Sequence, residues 1–141
     1  MFYIVPELDQ KKSQSHLAPH KRLELLKQGQ DLFNDENFFE AHEAWEALWH
    51  GEVAEERVFI QGLIQAAAHF HHVLNRRWGA AESLARLALQ KIASPIAEGS
   101  PFSRLDVEPL ESALVYNLEK IPYADGETKT ESFLLPKLFE L

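Results

Sequence analysis

Cysteine is absent from the 141-residue chain, which removes disulfides, thiolate nucleophiles and cysteine-ligated zinc or iron–sulfur sites from consideration. The same absence fits a reducing compartment, so a cytoplasmic location is expected. Positive charge is scarce: 14 Lys and Arg stand against 22 Asp and Glu, for a formal charge of −8. A broad phosphate-binding surface needs clustered Lys and Arg, so no nucleic-acid partner is expected. The opening Met1–Pro6 has no basic flank and is too short for a signal peptide, so no leader is expected. Strand-period alternation is nowhere long enough to build a sheet. A chain of this size buries roughly two-thirds of its unfolded surface. One soluble all-α domain spanning 1–141 is therefore the expectation.

Charge is also missing locally. From Val58 to Asn75, 18 residues pass without Asp, Glu, Lys or Arg. That length touches the lower edge of a membrane span. Gln61, Gln65, His69, His71, His72 and Asn75 fall inside the run, which argues against a lipid-facing helix and for a buried helix in a bundle. No membrane partner is expected.

What is present is helical periodicity. Pro19 suits a first turn, and Leu25, Leu26, Gly29, Leu32 and Phe33 recur at helical spacing, predicting a helix over about 19–34. Asn37 and Glu40 have the spacing of a capping box. A second helix over about 38–50 carries Phe38, Ala41, Trp45, Leu48 and Trp49 on one stripe with His42 inside it and Glu46 at its border. Glu40 and Glu43 point outward, and Gly51 reads as the stop. A third helix, about 54–76, has an apolar side (Phe59, Leu63, Ala66, Phe70, Val73) and a polar side with Gln61, Gln65, His69 and His72. Both sides need partners, which makes it central and antiparallel to the second. Gly62 and Ala66 allow close approach of a neighbour. Helices over about 79–94 and 107–119 follow, the last capped by Asp106, giving a compact bundle of about five. Residues 1–18 read as an arm, with Phe2–Val5 extended and Asp9–Ser15 a loop. The segment 119–141 reads as an irregular apolar tail that docks through Phe133, Leu134, Leu135, Leu138 and Phe139 on the body or on a second subunit. No internal repeat is visible.

The combination Leu32-Phe33-Asn34, Phe38-Phe39-Glu40-Ala41-His42-Glu43-Ala44-Trp45-Glu46 with Trp49, and Arg57-x-Phe59-x-Gln61-Gly62-Leu63-Ile64-Gln65-Ala66-Ala67 resembles the all-helical prokaryotic family catalogued as domain of unknown function three hundred and nine. Asn75, Gly79-Ala80 and Leu105-Asp106-Val107 continue the resemblance, over about residues 20–118. It implies a compact helical bundle and places emphasis on Glu40, His42, Glu43, Trp49, Gln61 and Gln65, with no substrate or reaction attached. The resemblance implies an aliphatic residue in many relatives where Trp45 stands, and so a reshaped pocket here.

Three readings of this cluster stay open at the sequence level, and whether the chain is an enzyme is one of the open points. In the first, Glu40, His42, Glu43, Glu46, Gln61, Gln65, His69 and His72 form a structural polar network, as buried polar groups usually do. In the second, Phe39, Trp45 and Trp49 line a small-molecule pocket in which Glu43 or Glu46 acts as general base. A divalent metal held by His42, Glu46, His69 and His72 is a variant of it, giving a metal-assisted hydrolase. The spacings do not favour the metal: the second histidine of the zinc-protease helix is missing, and so is the Glu-x-x-His of di-iron bundles. No cofactor is therefore expected. In the third, exposed tryptophans or the apolar tail make a homodimeric interaction module.

Overall fold

The computed structural model describes residues 17–52, 54–96 and 99–141; the arm read over 1–18 thus falls almost wholly outside the described residues. Five α-helices carry the architecture: α1 Pro19–Asn34, α2 Phe38–Gly51, α3 Ala54–Leu74, α4 Trp78–Ile92 and α5 Glu108–Lys120. The only pairing of extended chain among the described residues is one antiparallel bridge, Leu105 with Glu140. The expected all-α bundle is what forms. The short connections between α1, α2, α3 and α4 make each of these helices antiparallel to the next, and α3 packs extensively against both α2 and α4.

The apolar stripes read from the sequence are the buried ones. Phe33, Phe38 and Phe70 meet from α1, α2 and α3, with ring centroids 5.0–5.7 Å apart. Such offset and edge-on pairs hold beyond the area they bury. Trp45 lies across Gly29, where an added Cβ would stand 2.1 Å from the indole nitrogen, and that nitrogen donates to the Leu26 carbonyl at 3.2 Å. Gly62 has the same use on α3: a Cβ there would stand 2.9 Å from the Ile92 backbone nitrogen of α4.

Two turns have a common geometry. After α1, Asn37 N–H donates to Leu32 O and Glu36 N–H to Phe33 O, with Glu36 at φ 64°. After α3, Arg77 N–H donates to His72 O and Arg76 N–H to Val73 O, with Arg76 at φ 55°. Both are helix C-terminal motifs closed by a left-handed residue, a position that glycine usually fills. The two helix pairs thus repeat a backbone turn that their side chains do not announce.

Several local expectations are corrected. The capping box at Asn37 does not form: Asn37 is the N-cap of α2, but its side chain makes no cap hydrogen bond. Gly51 ends α2 without a left-handed backbone; its small size matters instead, because a Cβ would stand 2.4 Å from Leu17. Asp106 lies one residue outside the N-cap of α5, which is Val107, yet its Oδ1 accepts from Glu108 N–H at 3.2 Å. An ion pair absent from the sequence reading clamps the start of α1 to the α2–α3 connection. Arg22 donates to both oxygens of Glu52, at 2.6 and 3.1 Å, and the Glu52 side chain is buried.

Candidate functional site

The candidate residues separate into an outer edge and an inner lock. On the outer edge, α2 places His42 one turn from Glu46, with Nε2 3.5 Å from Oε1 and the two side chains 10% and 19% exposed. Phe39, half exposed, stacks obliquely between His42 and His71, with centroids 5.5 and 5.6 Å away. His72 lies beside His71 at 5.5 Å. Desolvation, then the neighbouring charges of His71 and Arg77, lowers the His72 pKa below its ordinary value. Glu40 and Glu43 are exposed on α2, as their positions on the helix wheel predict.

His69 belongs to the inner lock. Its ring is fully buried, and Nδ1 lies 2.7 Å from the Ala81 carbonyl of α4. Nε2 lies 3.2 Å from Asn117 Nδ2 of α5. A carbonyl only accepts and an amide N–H only donates, so Nδ1 carries the proton and Nε2 the lone pair. Both ring nitrogens are occupied. Burial, the largest effect, pulls the pKa from 6.5 to about 4, against the opposing hydrogen bond to Ala81. The imidazole is neutral at physiological pH. Asn117 then passes the connection on to the tail: its Oδ1 accepts from Leu134 N–H at 2.8 Å, and its Nδ2 donates to Leu134 O at 3.0 Å.

Gln65 is buried on α3, and its Oε1 has no hydrogen-bond partner among the described residues. Gln61 is half-buried one turn earlier. The three aromatics proposed as pocket lining do not share a cleft. Phe39 lies outside, while Trp45 and Trp49 are core residues, 0% and 1% exposed. Trp49 is covered by the buried Arg57, whose guanidinium carbon sits 3.8 Å from the ring centroid. A cavity of about 490 Å³ opens elsewhere, against α1 and the 99–104 segment, with Arg22, Lys27, Gln30 and Arg104 among its lining residues. None of the sequence candidates borders it.

Among the described residues, no three His, Asp or Glu side chains converge on a point that could hold a metal ion. The four residues considered as ligands are divided, because His69 turns toward α4 and α5 while His42 and Glu46 pair on the edge of α2. Chemically, the edge pair offers an imidazole and a carboxylate within reach of solvent, and the lock offers a neutral hydrogen-bond relay.

Sequence reasoning gave no role to Asn117, Gln30 or Asn34. Asn117 carries a readable signal: it stands three residues after Leu114 and seven after Leu110, inside the apolar stripe of α5, and all three are buried. Gln30 and Asn34 have the spacing of one helix turn on α1. Their common partner, Leu138, lies 104–108 residues away in sequence.

No helix among the described residues is long and apolar enough to cross a membrane. Comparison with known proteins finds no match among curated proteins and none among solved structures. Residues 26–84, which carry α2, α3 and the motif from Leu32 to Ala80, match the family described as Domain of unknown function (DUF309), so the resemblance read from the motif holds over that stretch.

Proposed function

We propose that the chain is a cytoplasmic helical domain whose Glu/His/Gln cluster is a structural polar network rather than a catalytic centre. The observation that carries this reading is the environment of His69. With both ring nitrogens bonded and the ring neutral and sealed from solvent, it has no free nitrogen with which to take a proton or hold a metal. What it does is join α3 to α4 and α5, and through Asn117 to the tail. A buried amide–imidazole chain of this kind specifies one packing, because each member left unpaired costs about 1–3 kcal/mol.

Melting curves and elemental analysis on three dialysed proteins test it: the parent, His42→Gln and His42→Leu. The glutamine keeps a polar partner for Glu46 and the leucine does not, so the leucine variant should melt lower, with no stoichiometric metal in the parent. One equivalent of metal retained by the parent and lost from either variant would replace this reading with a metal site.

A second reading rests on the His42–Glu46 pair itself. Its partly buried carboxylate and buried imidazole, beside the half-exposed Phe39, would suit general-base hydrolysis of a small apolar ester or amide. Turnover of such substrates by the parent that disappears in Glu46→Gln would favour it.

A further inference from the structure

The cavity beside α1 carries chemistry that neither the His69 lock nor the His42–Glu46 pair uses. One wall is the first half of α1, where Leu23 and Leu26 stand about one turn apart. Leu23 is 54% exposed, a large apolar side chain on a cavity wall rather than in the core. The other wall is the short helix Pro101–Arg104 with Glu140 of the tail. Its backbone is tied down, because Asp106 N–H donates to Phe139 O at 2.9 Å and Leu141 N–H to Arg104 O at 2.7 Å. Both walls are therefore set before any ligand arrives. A volume of about 490 Å³ lies within the range of small-molecule sites.

Positive charge gathers at this cavity although the chain carries a formal charge of −8: Arg22, Lys27 and Arg104 line it against Glu140. The three cations are not equivalent. Arg22 is neutralised by the buried Glu52, which takes two of its five N–H groups and holds the guanidinium over the Phe102 ring, 5.4 Å from the centroid. Lys27 pairs with Asp31 at 3.2 Å, but the two side chains are 62% and 61% exposed, and such a pair contributes little. The Arg104 guanidinium makes no hydrogen bond or ion pair among the described residues, not even with Glu140 on the same cavity.

These features select the ligand. A planar guanidinium takes a carboxylate through two parallel N–H bonds, which fixes orientation as well as charge. Because Arg22 and Lys27 have carboxylates of their own, only Arg104 is left to offset Glu140. That leaves no surplus of charge to hold a dianion such as phosphate, whose repulsion from Glu140 is doubled. A cationic ligand would meet Arg104 and Lys27 as like charges. The apolar wall of Leu23 and Leu26 suits a hydrocarbon body beside the charged end. We propose that this cavity binds a small monocarboxylate with an apolar body, its carboxylate on Arg104 and the remaining N–H groups of Arg22, and its body against Leu23 and Leu26. The site is separate from the polar network, so either can fail without the other.

The test titrates the full chain with hexanoate and follows the leucine methyl resonances. Leu23 and Leu26 should shift, while Leu84, buried on α4, should stay in place. Arg104→Gln removes the guanidinium at an exposed position and should weaken binding about tenfold or more, the usual worth of a hydrogen bond to a charged group. Leu23→Asn should weaken it too, whereas Lys129→Gln, an exposed cation outside the cavity lining, should not. Hexylamine, with the same chain and the opposite charge, and inorganic phosphate at equal ionic strength should each bind at least about tenfold more weakly than hexanoate. Circular dichroism identifies any variant that has unfolded. Should Arg104→Gln be one, Arg104→Lys, which keeps the charge and loses the planar pair of donors, takes its place with a smaller loss expected. Unmoved Leu23 and Leu26 methyls at the solubility limit of hexanoate overturn the site. So does an equal response to hexylamine, or undiminished binding by a folded Arg104→Gln. Phosphate binding as tightly as hexanoate also overturns the proposal, because the apolar wall would then contribute nothing.

Discussion

His69 sits in the uncharged run of α3 opposite glutamates, a setting that suggests acid–base or metal chemistry, and its burial sets which protonation state the fold holds. Moving an imidazolium into the protein interior is costly, so the folded state keeps the ring neutral down to about pH 4. In the unfolded chain it titrates near 6.5. Between those values the unfolded state binds a proton that the folded state does not, so stability falls as pH drops through the window and is fully present above about 6.5. The difference corresponds to about 3 kcal/mol at most. Urea midpoints of the parent and of His69→Gln at pH 7 and pH 5 check this. The parent should lose more stability on acidification than the variant, although the variant starts lower for want of the Asn117 and Ala81 bonds. Equal losses would show that His69 is not the group that titrates.

At the scale of elements, α3 is central because it is narrow where α4 crosses it. Gly62 lets the Ile92 backbone come within 2.9 Å of where a Cβ would stand, and backbone cannot rotate away as a flexible side chain can. Gly62→Leu should therefore destabilise the fold by about 1–3 kcal/mol through overpacking. Gly79→Leu is the control, since a Cβ there meets nothing within 4 Å. An unchanged denaturant midpoint for Gly62→Leu would mean that α3 and α4 are not in close contact. The misread capping box belongs to this scale too. Asn37 follows a left-handed Glu36, and the preceding helix is already closed by backbone bonds from Glu36 and Asn37. Spacing alone suggested a reciprocal side-chain cap, but the turn delivers Asn37 at φ −87° and ψ 66°, where its side chain makes none.

Across the whole molecule the tail is an integral part of the core. Leu138 is 0% exposed and packs within the same apolar cluster as Phe33 and Trp45, although it comes from the far end of the chain. Leu138→Ala should therefore cost about 2–5 kcal/mol, as a core truncation does. Leu141→Ala, at an 85% exposed position, should stay within about 0.5 kcal/mol. Thermal or denaturant melts of the two variants separate a core tail from a loosely attached one, and similar small losses would place the tail outside the core.

The sequence by itself determined what depends on neighbours along the chain. Apolar residues at helical spacing set all five helices to within a few residues, because burial of one stripe needs no knowledge of the partner beyond its existence. It also determined that His42 would be buried with Glu46 one turn away, since that pairing is local to α2. Only the tertiary structure decided which polar residues meet at a distance. His69 faces Ala81 and Asn117 and not His42, Asn34 and Gln30 find Leu138, and Arg22 finds Glu52. Such bonds join residues that periodicity treats independently, and several of them form around an extended tail that has no period to read. The helical bundle was therefore legible in advance, whereas the division of its polar cluster into a pair at the edge of α2 and a buried lock was not.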